Sequence, residues 1–448
     1  MLASGAGVKA GQMERSARPT ANSIQRLNAD PVQGGASLGI QPLGLERPVV
    51  ARMAGDQTNP KIALEPSGVA GGLIVWLDNS VTSVGSRVRA QRLNDGLMPV
   101  GQPFPVSSAW NSKTGGEQEE PAIAMQADGS AMVVWHTALA GKKGTSYQIY
   151  ARSISSSGEL LGKDIKISTD RVRSQTSPTI AALTDGGYVV VWSSHGGDGS
   201  LQGVFAQRLS GNGKKVGKEF RVNEWTANNQ RTPSVAALGG GGFVVGWVSE
   251  LQRSVVSVDV YTRLYDSDGV PLGNEFAVNL TTSNACANPC LVGSADGGFA
   301  VAWSQKSDAG MPGVVASNIP ATLSPDGWDV FGRIFNAGGA PATMPFRLNS
   351  HYYGDQFAPK LAVLNGNYLA TWTSLGQDGS REGVYAQAFA PNGDFKGSEV
   401  RVNGGTVSRQ IHPAVAAAGN QFVVAWSSIA AGTGFDLLAQ SYLQTSGE

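Results

Sequence analysis

The sequence predicts an all-β fold, a seven-bladed β-propeller of four-stranded blades, and three observations predict it. Seven times an apolar run ends in tryptophan, at Trp76, Trp135, Trp192, Trp247, Trp303, Trp372 and Trp426. These landmarks stand about 54 to 69 residues apart, and a repeat of that size belongs to propellers, solenoids or arrays. Glycine supplies 59 of 448 residues while only 15% are charged, a composition suited to many short strands joined by tight turns.

The unit from Gln175 to Asn223 shows the elements in order. Gln175 and Pro178 lead into a first strand, Thr179–Leu183, and Asp185-Gly186 turns the chain into a second, Tyr188–Trp192. A loop with Asp198-Gly199-Ser200 precedes a third strand, Val204–Leu209, and Asn212-Gly213 precedes a fourth, Glu219–Asn223. Asp-Gly and Asn-Gly between apolar runs signal hairpins, because glycine accepts the positive φ these turns require. The second strand is apolar on both faces, as in Phe243–Trp247 and Phe422–Trp426, so it needs cover on both sides, as between two blades. In the fourth strand Arg221, Arg347 and Arg401 alternate with Val222, Leu348 and Val402, the pattern of an outer edge.

Gln57, Gln118, Gln175, Gln230, Gln356 and Gln410 each stand three residues before a proline, and Cys286 takes that place before Pro289. A glutamine at one point of nearly every unit reads as structural, its amide tying loop backbone between blades. A ring of ligand-binding amides is the alternative.

The seventh unit lacks a fourth strand, and the other end of the chain supplies it. Gly44–Val49 lines up with Gly217–Val222, so residues near 46–52 are expected to complete the last blade. Pro48 suits an outermost strand, where a missing N–H is tolerated. The chain thus divides into an extended N-terminal arm, 1–43, and a propeller, 44–448. The arm is rich in Gly, Ala, Ser, Pro and Gln and cannot bury much apolar surface alone. It is either an assembly arm or a disordered leader.

The units resemble a repeat common in large bacterial surface and secreted proteins, often ones carrying haemolysin-type calcium-binding repeats. The pattern is best kept from Trp372 to Asn403, with Gly376–Ser380 reading GQDGS and Gly383–Gln387 reading GVYAQ. The resemblance covers about 46–443. It implies a binding or structural role and carries over no catalytic residue. The chain departs from it by lacking glycine-aspartate calcium nonapeptides.

No catalytic, cofactor-binding or metal-ligating residue is expected, and no cofactor. His136, His195, His351 and His412 lack metal-ligand spacing. No nucleophile elbow or phosphate-binding loop is present. Glu117, Glu119 and Glu120 read as a solvated acidic loop, and Asp198 and Asp378 as turn residues, with oxygens lent to a cation as the alternative for the two Asp-Gly-Ser turns. Cys286 and Cys290 form a local bridge or remain two thiols. An apolar second-to-third-strand loop near 306–328 offers interaction residues, Met311, Val314, Ile319 and Trp328, joined by Trp110; packing onto their own blades is the alternative.

Net charge is zero, which argues against nucleic acid and anionic membranes. No apolar run reaches a membrane-spanning length, and residues 1–20 lack a signal-peptide core. These features lead to the expectation of a non-enzymatic structural protein made without a signal and docked through its arm. Its partners would be protein subunits of a larger assembly in which it is a homo-oligomer. A phage virion part (tail hub, fibre or decoration protein) or an extracellular surface is the expected setting. The alternative is a carbohydrate-binding or adhesive surface propeller with glycans as partners, and a propeller glycoside hydrolase ranks below both.

Overall fold

A computed structural model describes residues 39–51, 53–66, 71–80, 85–108, 116–141, 144–170, 173–306, 327–351, 353–430 and 434–444. Among them there is no helix. The chain opens with β1 (Ile40–Pro48) and then builds antiparallel meanders. The first is β2 (Gln57–Leu64), β3 (Gly72–Asp78), β4 (Arg87–Leu93) and β5 (Pro99–Pro105). The second is β6 (Gln118–Met125), β7 (Ala131–Gly141), β8 (Gly144–Ile154) and β9 (Leu160–Lys166). The third is β10 (Gln175–Ala182), β11 (Tyr188–His195), β12 (Gln202–Leu209) and β13 (Lys215–Arg221).

The fourth meander is β14 (Gln230–Ala237), β15 (Phe243–Glu250), β16 (Val258–Tyr265) and the short β17 (Phe276–Ala277). The fifth is β18 (Ala285–Gly293), β19 (Phe299–Lys306), β20 (Trp328–Phe335) and the short β21 (Phe346–Arg347). A single parallel pair, Val258↔Ala285, joins these two into one sheet. The sixth is β22 (Gln356–Leu364), β23 (Asn367–Leu375), β24 (Glu382–Phe389) and β25 (Phe395–Arg401). The last is β26 (Gln410–Ala418), β27 (Gln421–Ala430) and β28 (Gly434–Gln444), whose outer neighbour is β1. First strands pack on one another in chain order, and β26 packs in turn on β2.

The landmark tryptophans end the apolar stretch of each second strand, and each is no more than 1% exposed. The core lies between sheets: Trp76 packs with Val423, Ala425 and Leu437 of the last sheet, and Trp135 with Val75 and Val88 of the first. This double cover explains why these strands need no polar face.

Both edges of the sheets carry bulges. On the outer edge, Gly101, Gly162, Gly217 and Gly397 have φ of 72°, 63°, 68° and 75°, and the ladder slips beside each. The third-strand glutamine collects carbonyls near the slip: Gln91 Nε2 donates to Val100 O, Gln207 to Val216 O and Gln387 to Gly397 O. Arg263 and Arg333 do this with Nε, donating to Gly273 O and Thr343 O. The recurring Ala-Gln of the repeat is therefore a repair of bulged backbone.

β1 obeys the same rules. It pairs antiparallel with β28 from Ile40↔Gln444 to Pro48↔Leu438 and slips between Leu43 and Arg47. Gly44 has φ 78°, and Gln440 Nε2 donates to Leu43 O and Gly44 O. An acidic side chain on or just before several outer strands accepts backbone N–H bonds from the preceding unit: Glu219 from Thr169, Glu275 from Glu224 and Glu399 from Ser350. Glu46 accepts from Gly404 and Gly405 in the same way. The strand expected near 46–52 instead spans Ile40–Pro48, and Val49 and Val50, which follow it, bury in the core while the Val49 N–H donates to Leu437 O.

The six glutamines are buried. Gln57, Gln175, Gln230, Gln356 and Gln410 donate from Nε2 to carbonyls of the loop just before them. Gln118 Oε1 accepts from Val88 N of the first sheet. Cys286 and Cys290 are free thiols, the first buried and the second half-buried.

Candidate functional site

Each first strand contains one more bulge, just before its proline. The residues there are Asn59, Glu120, Ser177, Thr232, Asn288, Ala358 and His412, all with φ between 49° and 55°. A residue before proline is normally extended, and a non-glycine residue in the left-handed region is strained. The bulge lets successive side chains turn to one side, where regular pleating would alternate them.

In β6 this brings two carboxylates to one imidazole. His136 Nε2 lies 3.1 Å from Glu119 Oε2, and its Nδ1 lies 3.4 Å from Glu120 Oε2. His136 is buried on β7, one residue past Trp135, while the two carboxylates are 40% and 48% exposed. The Tyr147 ring meets the imidazole edge-on at 5.1 Å between centroids. The Ser177 N–H, from the next bulge, donates to Glu120 Oε2 at 2.7 Å. Burial pushes the Glu120 carboxyl up, but the His136 imidazole and the Ser177 bonds outweigh it and hold the group below its usual range. Glu120 is thus an anion at neutral pH, and Glu119 keeps open lone pairs toward solvent.

Lysines from two other first strands reach the same region. Lys61 follows the β2 bulge and Lys360 the β22 bulge. Burial first, then the nearby charge of Lys360, lowers the Lys61 ammonium to about 7, against the opposing pull of Glu120 and Cys290. Desolvation by its neighbours, then the charges of Lys61, Lys360 and Arg409, lowers the imidazole of His412, a residue that stays partly exposed, to about 4. Burial raises the Cys290 thiol.

Glu119 and Glu120 belong to strand β6, which corrects their reading as a solvated loop. The bulge that pairs them with His136 leaves no mark in residue type, so the sequence alone hides the cluster. The pairing of Glu119 with His136 across the β6–β7 hairpin is the one signal that could reveal it. Of the expected interaction residues, Met311, Val314, Ile319 and Trp110 lie outside the described residues. Trp328 is the half-buried first residue of β20, paired with Lys306, its N–H donating to Asp355 Oδ1. Asp198 and Asp378 accept from Ser200 and Ser380 within their turns. Among the described residues no three His, Cys, Asp or Glu side chains are disposed to hold a metal ion.

No family model matches the chain, and no curated protein matches it. Solved structures resemble it distantly. Polysaccharide lyase Uly1 is 8% identical with a TM-score of 0.49, over 94% of this chain and 95% of that one. The Penicillium chrysogenum α-L-arabinanase complexed with arabinobiose is 14% identical with a TM-score of 0.45, over 73% of this chain and 93% of that one. The endosialidase of phage phi92 is 9% identical with a TM-score of 0.44, over 95% of this chain and 72% of that one. At these scores the neighbours assign no residue and no reaction to this chain. The expectations of a non-enzymatic assembly part and of no enzyme are nevertheless overturned, because the neighbours bear the names of carbohydrate-processing enzymes.

Proposed function

We propose that the meanders are the seven blades of one closed β-propeller and that the chain engages carbohydrate where the first strands converge. The return of packing from β26 to β2 and the pairing of β1 with β28 support the closed ring. One observation carries the carbohydrate reading: the β6 bulge holds Glu119 and Glu120 around His136, beside the Tyr147 ring. No other first strand carries a carboxylate at either position, so the framework does not require the pair. Partly exposed carboxylates accept from sugar hydroxyls, and an adjacent ring offers an apolar surface to a sugar face.

A second reading, cleavage of the bound glycan, is favoured by the placement of the imidazole between two carboxylates. Such an imidazole can take up and return a proton, and paired carboxylates are the usual tools of glycosidic cleavage. A glycan array, followed by reducing-end assays on the polysaccharides that bind, tests both readings. Binding by the wild-type chain that Glu119→Gln with Glu120→Gln abolishes, with the thermal midpoint retained, supports the site. Absence of any bound or cleaved glycan overturns it.

A further inference from the structure

The residue after each first-strand proline is Lys61, Ala122, Thr179, Ser234, Cys290, Lys360 or Ala414. Only β2 and β22 place a cation there, and the two strands are separated by β26, which packs on both. Between them β26 carries Ala414, which is buried in the core between the last sheet and the first. The lysines are close enough to feel each other's charge, both act on Cys290 of β18, and Lys61 also feels Glu120 of β6.

Neither ammonium has a salt-bridge partner among the described residues. Lys61 donates to Asn59 Oδ1 and to Pro60 O, the latter at 3.2 Å, and Lys360 donates to Pro359 O at 3.2 Å. An ammonium has three N–H donors, so one remains on Lys61 and two on Lys360. Glu120 meets His136 and the Ser177 N–H through Oε2, and it forms no salt bridge with either lysine among the described residues. Arg409 is already paired with Glu382 through two contacts of 2.7 and 2.9 Å. Two like charges at a poorly hydrated spot repel, and an anion between them removes that cost.

We propose that Lys61 and Lys360 form an oxyanion site on the inner strands, one that takes a carboxylate or a tetrahedral oxyanion across Ala414. The site stands independently of the carbohydrate reading, because inorganic phosphate alone tests it. It has a pH signature. An anion raises the proton affinity of Lys61, so binding is tightest below about pH 7 and weakens as pH rises toward 9. The groups facing Lys61 in this titration are Glu120, Cys290, Lys360 and His412.

The experiment is calorimetric titration of the full chain with sodium phosphate at constant ionic strength, at pH 6.5 and pH 9. Saturable binding is expected at pH 6.5, weakened at least tenfold by Lys61→Met or Lys360→Met and unchanged by Lys218→Met on the outer edge. Both test variants keep a long unbranched side chain at the position, so both should fold. D-glucuronate and glucose serve as further arms. Glucuronate displacing phosphate, with glucose inert, assigns the site to an acidic sugar; phosphate binding without displacement assigns it to a free oxyanion. Absence of saturable phosphate binding by the wild type, or equal binding by the Lys61 and Lys360 variants, overturns the proposal.

Discussion

The outer and inner edges of each sheet make the same move with opposite residues. Both insert a left-handed residue and slip the ladder. Outside, the residue is glycine at Gly44, Gly101, Gly162, Gly217 and Gly397. Inside, it is never glycine: the series runs Asn59, Glu120, Ser177, Thr232, Asn288, Ala358, His412. Glycine adopts this conformation without a steric penalty, whereas other residues carry roughly 1–2 kcal/mol of strain. The outer bulge therefore serves geometry alone, and its residue and its Gln or Arg partner repeat. The inner bulge keeps a side chain, and most of those side chains are polar and differ from unit to unit. Repetition marks the framework; variation at a strained position marks where the chemistry sits. Ala358 shows the strain without a functional group, and its N–H bond to Ser304 Oγ does not by itself require a methyl group.

The comparison can be broken at several points. The largest loss is expected from deleting residues 40–50, which removes the outer strand of the last sheet, the Gly44 bulge and the buried Val49 and Val50. Its thermal midpoint should fall further than that of any single substitution; an unchanged midpoint would show that β28 needs no partner. Trp426→Ala sets the scale for the core between the two edges. It should cost about 3–5 kcal/mol in denaturant unfolding, and a loss below about 0.5 kcal/mol would refute its burial.

Smaller effects separate the two bulges. Gly217 has φ 68°, and the space where a Cβ would stand is open, so Gly217→Val should cost about 1–2 kcal/mol from conformation alone. Ala358→Gly should move the other way, a gain of up to about 1 kcal/mol, since strain is relieved while chain entropy rises. Equal signs for the two would end the contrast.

The smallest effect is a pH dependence. The His412 imidazole is depressed to about 4 from 6.5, so the unfolded chain takes up its proton first as pH falls. Stability should decline from about pH 6.5 to about pH 4 and level off below, with the size reduced by the exposure of this side chain. His412→Asn should flatten that slope in a series of thermal melts; an identical slope would show that His412 titrates freely.

Much of the framework is legible in the sequence. The seven tryptophans, the Asp-Gly and Asn-Gly turns and the Gly44 alignment all report local geometry, and local geometry selects residue type. Trp192 shows it well: it is buried, and its Nε1 donates to Gln175 Oε1 at 2.7 Å. The site is not legible, for the opposite reason. Before proline the expected conformation is extended, so nothing at Glu120 announces a turn of its side chain toward His136. Lys61 and Lys360 come into one neighbourhood because β2 and β22 both pack on β26, and pairwise spacing along the chain does not report that. Recurrence marks the glutamine of six first strands as structural, and bonds such as those of Gln230 and Gln410 to nearby carbonyls give the mechanism.

The pairing of β1 with β28 has a consequence for the order of events at the ribosome. β1 emerges before the other described strands, yet its partner β28 is the last of them to be made. Until then Leu43 and Leu45, exposed even in the finished fold, sit on an edge ready to stick to any neighbouring nascent chain. Joining such distant segments is slow, because the loop between them must close first. Full protection of this strand thus waits until β28 has emerged, and slowing synthesis of the segment that carries β28 should prolong the interval in which newborn chains entangle.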